Sequence, residues 1–186
     1  MASQQPDLRK LLLQGNSRSY TDFVADIVNK RPELVGELWE IYLVAEEPVS
    51  RRAAWIIDTA SENKPEWVEP FLPALIAKLP LFNHDGLKRH GLRMIARVPF
   101  PAGLEGELMN IAFEWLLSTT ESVAVKMYSI QILYRLSATE PDILQELYDT
   151  IEFQIADGTP GFKGIGRKLM SQIDKDIMKR KLGKRL

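Results

Sequence analysis

Gly86-Leu87-Lys88-Arg89-His90-Gly91-Leu92-Arg93-Met94-Ile95-Ala96-Arg97-Val98 places a base, a small residue and an apolar residue at positions 88, 91 and 94. The same triple recurs as Arg51, Ala54, Ile57, then Lys126, Ser129, Ile132, then Lys163, Gly166, Leu169, with the basic positions 37, 38 and 37 residues apart. Steps of three stay on one side of a helix. A period of this length marks a repeat architecture, in which each unit buries its apolar face only by stacking on its neighbours.

Each unit has a second half. Apolar residues step by four through Trp67, Phe71, Leu75 and Leu79, through Leu104, Leu108, Ala112 and Leu116, and through Ile143, Leu147, Ile151 and Ile155. These read as buried stripes of second helices. A looser first unit precedes them, with Arg18, Thr21 and Val24, then Leu34, Leu38 and Tyr42. Pro32-Glu33, Pro65-Glu66 and Pro141-Asp142 stand just before second helices, where a missing N–H is tolerated and an acid meets the positive helix end. The third unit enters through Pro99-Phe100-Pro101-Ala102-Gly103, and Gly103 implies a different turn.

The expected architecture is all-α: one domain over 1–186, a short right-handed solenoid of about four antiparallel helix pairs and eight or nine helices. The repeats span roughly 17–47, 49–82, 86–118 and 122–157, with a truncated last unit at 160–182 and a basic tail at 175–186. A short helix is expected near 6–14. The last unit's second helix should begin near 178, with Ile173, Ile177 and Leu182 capping the stack. The chain resembles the HEAT and armadillo-like helical repeats over about Arg18 to Ile173. That resemblance implies a binding scaffold whose second helices line the concave face, and it carries no catalytic residue.

Bulk composition limits the remaining possibilities. Apolar runs such as Leu11 to Leu13 are far shorter than the ~18 residues of a membrane span, and the start of the chain lacks a secretory pattern. A cytoplasmic location is expected. With no cysteine, thiolate metal sites and cysteine nucleophiles are excluded. The net charge of −1 hides an uneven distribution: from Lys163 onward nine bases face two acids.

Charge also divides by helix. The first helices (50–62, 86–98, 122–137, 162–173) hold eleven bases and two acids, Asp58 and Glu62, whereas the second helices (32–47, 65–79, 102–117, 141–157) hold fifteen acids and one base, Lys78. Pairing between neighbouring units accounts for such layers, each exposed pair contributing about 0–1 kcal/mol. Yet a cation in the first turn of a helix meets the positive dipole end, so Arg51, Lys88, Lys126 and Lys163 should each have an acidic or anionic partner. Arg89, Arg93 and Arg97 form a like-charged stripe that favours an acidic neighbour or ligand. With Arg167 near the last helix start, these eight residues are the candidate anion- or partner-binding set. Glu37, Glu40, Glu114, Glu146, Asp149 and Glu152 are the candidate acidic face.

No catalytic constellation assembles. His84 and His90, six apart, point to different sides of a helix, and His84 falls in a loop; no metal site is expected. His90 should pack beside Gly91 or join the basic stripe. The glycine-rich run Gly158 to Lys168 lacks the hydroxyl and the preceding strand of a phosphate loop, so Gly164 and Gly166 read as close-packing positions. Trp55 with Asp58 is similar to the aromatic-plus-carboxylate site of alkylpurine DNA glycosylases, which share HEAT-like repeats, but an acidic concave layer would repel DNA. The signature loop of the fumarase and adenylosuccinate lyase superfamily is absent. Of the four tryptophans, Trp39 is the one expected to be exposed.

The expected function is therefore a non-enzymatic protein-interaction or adaptor module without cofactors, whose acidic face binds a basic protein segment. The alternative is nucleic-acid binding through the basic first-helix layer and the tail.

Overall fold

The computed structural model describes residues 6–183, with side-chain surroundings through residue 180. Among these residues there are ten α-helices and no strand: α1 Leu8–Gln14, α2 Arg18–Lys30, α3 Leu34–Val44, α4 Val49–Ala60, α5 Leu72–Lys78, α6 Asp85–Ile95, α7 Glu105–Leu117, α8 Val123–Leu136, α9 Ile143–Asp157 and α10 Pro160–Gly183. The expected all-α repeat fold is found. None of these helices is long and apolar enough to cross a membrane. Contacts divide the chain into two compact units, 1–104 and 105–186, so that α6 and α7, one repeat by period, belong to different units. The break follows the Pro-rich turn, where Gly103 adopts φ +84°, a conformation that suits glycine because it has no Cβ.

In the first unit, α2, α4 and α6 form one layer, with α3 packed on α4 and α5 beside α3. The core gathers Val24, Val28, Leu34, Leu38, Ala53, Ile57, Leu75, Leu79 and Met94. Side-chain caps start two of the three layer helices: on α2 Ser17 accepts from the Tyr20 N–H, and on α6 His84 Nδ1 accepts from the Gly86 N–H, whereas α4 follows Pro48 without one. Pro32 and Pro141 stand two residues ahead of their helices, and each offers its carbonyl to the residue three on.

The stretch 65–81 departs from the expected continuous helix. It forms 3₁₀ turns at Pro65–Trp67, Glu69–Phe71 and Leu79–Leu81 around the short α5. Pro70, Pro73 and Pro80 each lack an N–H and crowd the preceding turn. Trp67 and Phe71 are consequently only half-buried, while Leu75 and Leu79 reach the core. Trp39 is also not exposed as expected. It is fully buried, stacked on Phe71 at 4.9 Å, with Nε1 donating to the Trp67 carbonyl at 2.9 Å.

In the second unit α8 packs on α7, and α10 on α9. Helix α10 does not break near 178 but continues to Gly183, because no proline or glycine interrupts residues 167–182. Residues 175–183 of the expected tail are thus helical, and Arg180 is tied down, Nη2 donating to the Ser137 carbonyl at 2.9 Å. Ile173 faces inward and is buried, Ile177 is half-buried, and the Leu182 side chain lies outside the described set.

Tyr134 Oη donates to Asp176 Oδ2 at 2.6 Å and so secures the C-terminal half of α10. This bond holds the Asp176 carboxyl below its usual range and the Tyr134 phenol above its own. A carboxyl depressed by folding contributes stability above its unfolded value, about 3.9, and that stability is lost as pH falls through the lower folded value. Denaturant unfolding from about pH 5 to pH 2 should lose stability more steeply in wild type than in Tyr134→Phe. Parallel acid limbs would show that the bond does not contribute.

Candidate functional site

The recurring small residue is a contact point between helices. Ala54, Gly91, Ser129 and Gly166 are all buried. A Cβ at Gly91 would lie 2.6 Å from Tyr42 Oη and 3.1 Å from Leu79, and one at Gly166 would lie 2.9 Å from Ile155. Gly164, also expected to pack closely, has open space around it, so only Gly166 takes that role. Tyr42 is fully buried, donates to the Leu87 carbonyl at 2.8 Å, and burial raises its phenol well above the ordinary value.

The basic stripe of α6 meets α4 at one acid. Asp58 is 0% exposed. Its Oδ2 accepts from His90 Nδ1 at 2.8 Å and Arg93 Nη1 at 3.2 Å, while Arg97 Nη2 lies 2.7 Å from Oδ1 and donates to the Asp58 carbonyl at 3.1 Å. Arg93 also reaches Glu62 at 3.5 Å. Arg89 Nη2 stands 3.2 Å from His90 Nε2. A guanidinium only donates, so Nε2 is the acceptor and the proton of His90 resides on Nδ1, toward Asp58. Trp55 stacks over the imidazole at 6.1 Å. His90 thus lies between Arg89 and Asp58 and shares that carboxylate with Arg93 and Arg97. Asp58 is enclosed, hydrogen-bonded at Oδ2 and held at Oδ1 by the Arg97 ion pair alone among the described residues, and five cavities of 300–590 Å³ lie elsewhere.

The other candidate cations fare unequally. Arg51 pairs with Glu47 at 3.0 Å, one turn earlier on the chain. Lys126 donates to the neutral Gln154 amide at 2.7 Å, and loss of water lowers its ammonium below the ordinary value. Lys88 is half-buried on α6. Lys163, half-buried, and Arg167, exposed, have no side-chain partner among the described residues. The expectation of an acidic or anionic partner at every first-turn base thus holds for Arg51, whereas Lys126 bonds a neutral amide instead and Lys163 has no side-chain partner within the described residues.

The candidate acids lie outward. Glu40, Glu114, Glu146, Asp149 and Glu152 are exposed and Glu37 is half-buried. Glu114, Glu146 and Glu152 have no ion pair with any described residue, and Asp149 accepts only from the Gln145 amide at 2.9 Å. Their field is felt nearby: burial first, then Asp174, Glu152 and Asp149, raise the Tyr148 phenol. No cluster of acids and histidines suited to a metal occurs among the described residues.

Repeated helix pairs, an arginine stripe of one first helix that meets Asp58 of the preceding one, and second helices with outward acids define an α-helical repeat protein. Residues 8–173 match the HEAT repeat domain, and the chain belongs to that family. No curated protein and no solved structure matches it. HEAT repeats are in general protein-interaction scaffolds.

Proposed function

We propose that this protein is a non-enzymatic interaction module whose acidic second-helix face, centred on α9, binds a basic segment of a partner protein. The carrying observation is the inequality between the arginines of α4 and the α6 stripe and the acids of α7 and α9. The bases Arg51, Arg93 and Arg97 are neutralised by acids of the chain itself, whereas Glu114, Glu146 and Glu152 carry charge that no described residue compensates. Uncompensated like charge costs free energy that an oppositely charged partner relieves, and it speeds encounter with that partner. A fluorescent peptide of alternating lysine and serine is the direct probe. Its affinity should fall by tenfold or more in Glu146→Lys/Glu152→Lys, and fall with added salt in wild type. Equal binding by both proteins would remove the acidic face from the reading.

A second reading draws on α10, where Arg167, Lys168, Lys175 and Lys179 are exposed without ion pairs among the described residues. It assigns nucleic-acid binding to this helix. Affinity for duplex or single strand should then drop steeply with salt and weaken on removal of residues 175–186; absence of binding at low salt dismisses it.

A further inference from the structure

Val44, Leu81, Leu117 and Phe153 are large apolar residues at 63%, 63%, 52% and 75% exposure. They stand 37, 36 and 36 residues apart in the chain, the period of the repeat itself. An exposed apolar side chain is ordinary when it occurs singly. One at or near the end of each second helix is a pattern, which Phe23 on α2, at 55% exposure, does not share.

The residues leading up to them sharpen it. On α3 the outward stripe runs Glu37, Glu40, Val44; on α7 it runs Glu107, Asn110, Glu114, Leu117; on α9 it runs Glu146, Asp149, Phe153. Steps of three and four keep each set on one side of its helix. Acids followed by an apolar residue therefore face outward on three second helices. The proline-broken segment 65–81 departs from this, with Lys78 ahead of Leu81.

Helices α7 and α9 touch within the second unit. Next to Phe153 a cavity of about 500 Å³ is lined by Val123, Phe153 and Phe162, with the carboxylate of Asp157 also in its wall; its one lysine, Lys126, bonds Gln154 and feels the charge of Glu121. Apolar walls beside carboxylates suit an apolar side chain flanked by cations. In the first unit a cation already lies beside such a stripe: Arg9, which pairs with Glu46 at 2.9 Å, lines a 300 Å³ groove together with Glu37, Glu40, Ile41 and Val44, while α1 itself packs on α4.

We infer that the α7–α9 face docks a cationic amphipathic helix of a partner protein, its bases on Glu114, Glu146, Asp149 and Glu152 and its apolar side chains on Leu117, Phe153 and the adjoining cavity. This rests on the acidic-face reading and narrows it: charge alone does not satisfy the site, and a polybasic segment without apolar residues is a poor ligand.

The test compares two peptides of equal charge on the full chain. One is an amphipathic helix of about 18 residues built from leucine and lysine at helical spacing; in the other every leucine is serine. Wild type should bind the first at least tenfold more tightly. Leu117→Ser/Phe153→Ser, which alters only exposed positions and should leave the far-UV circular dichroism unchanged, should abolish that preference while retaining affinity for the serine peptide. Glu146→Lys/Glu152→Lys should weaken both. Equal affinity of wild type for the two peptides overturns the inference and leaves the acidic face standing. A leucine preference that survives Leu117→Ser/Phe153→Ser places the apolar contact elsewhere and also overturns it. Equal binding of an acidic amphipathic peptide overturns both readings together.

Discussion

Asp58→Ala is expected to lower the stability of the first unit by about 3 kcal/mol or more, from the 3–5 kcal/mol typical of breaking a buried ion pair. Arg93 and Arg97 keep 33% and 23% of their side chains in water, which sets the effect toward the lower end. The cost arises from what remains: His90 loses the acceptor of its Nδ1–H, and two guanidiniums lose the carboxylate between them. Against a domain stability of about 5–15 kcal/mol, the loss should be plain in a urea titration followed by tryptophan fluorescence. Trp55, stacked on His90, is a local reporter. Asp58→Asn, which retains an acceptor but no charge, should fall between wild type and alanine. A change below about 1 kcal/mol for alanine would show that Asp58 behaves as an ordinary surface acid.

Gly91→Val is expected to cost about 2–4 kcal/mol, combining overpacking of about 1–3 kcal/mol with loss of the Tyr42–Leu87 hydrogen bond, worth about 1 kcal/mol. The new side chain would begin 2.6 Å from Tyr42 Oη, with Leu79 and Leu75 behind it at 3.1 and 3.3 Å. These contacts belong to helices on the other side of the packing interface, so none moves freely. Gly164→Ala is the control: its Cβ meets nothing, and alanine favours a helix by about 0.5–1 kcal/mol over glycine. Thermal unfolding of both variants separates the roles. Equal melting temperatures would mean that the close approach at Gly91 is relieved without cost.

Much of this was legible from the chain. The triple at Arg51, Lys88, Lys126 and Lys163 located the layer helices, because a small residue at each close helix approach and an apolar one a turn later are local requirements. The outward acids of α9 were legible for the same reason: amphipathic spacing separates the face that must be dry from the face that stays wet. The rule failed where proline chemistry overrode it, at 65–81, and where no breaker was present to end α10. It misjudged Trp39, which lies within a helix of high overall apolarity whose outer side is covered by the 3₁₀ turns at Trp67 and Phe71. An irregular segment leaves no periodic signal of what it covers.

Asp58 is the instructive case among the candidate site residues. It stood out in the sequence only as one of two acids in the basic layer, beside Trp55. A possible signal was its place directly after Ile56 and Ile57 on the buried side of α4, where an acid must be paired. The eight candidate bases were chosen by charge alone, and charge does not reveal which of them is already satisfied.

By itself the sequence determined the period, the helical class, the division into basic and acidic layers and the residues that pack where helices approach closely. The period follows from recurrence along the chain, and the rest from regularities within a turn or two of helix. Only the tertiary structure decided which charges remain available. Asp58 meets side chains 32, 35 and 39 residues away, and Lys126 meets Gln154 across 28. Such pairs depend on how separate helices are set against one another, and burial then makes the pairing obligatory because an unpaired charge out of water is too costly. That decision turned the arginine stripe from a candidate surface into an internal clamp, and left the acids of α7 and α9, with Leu117 and Phe153, facing outward.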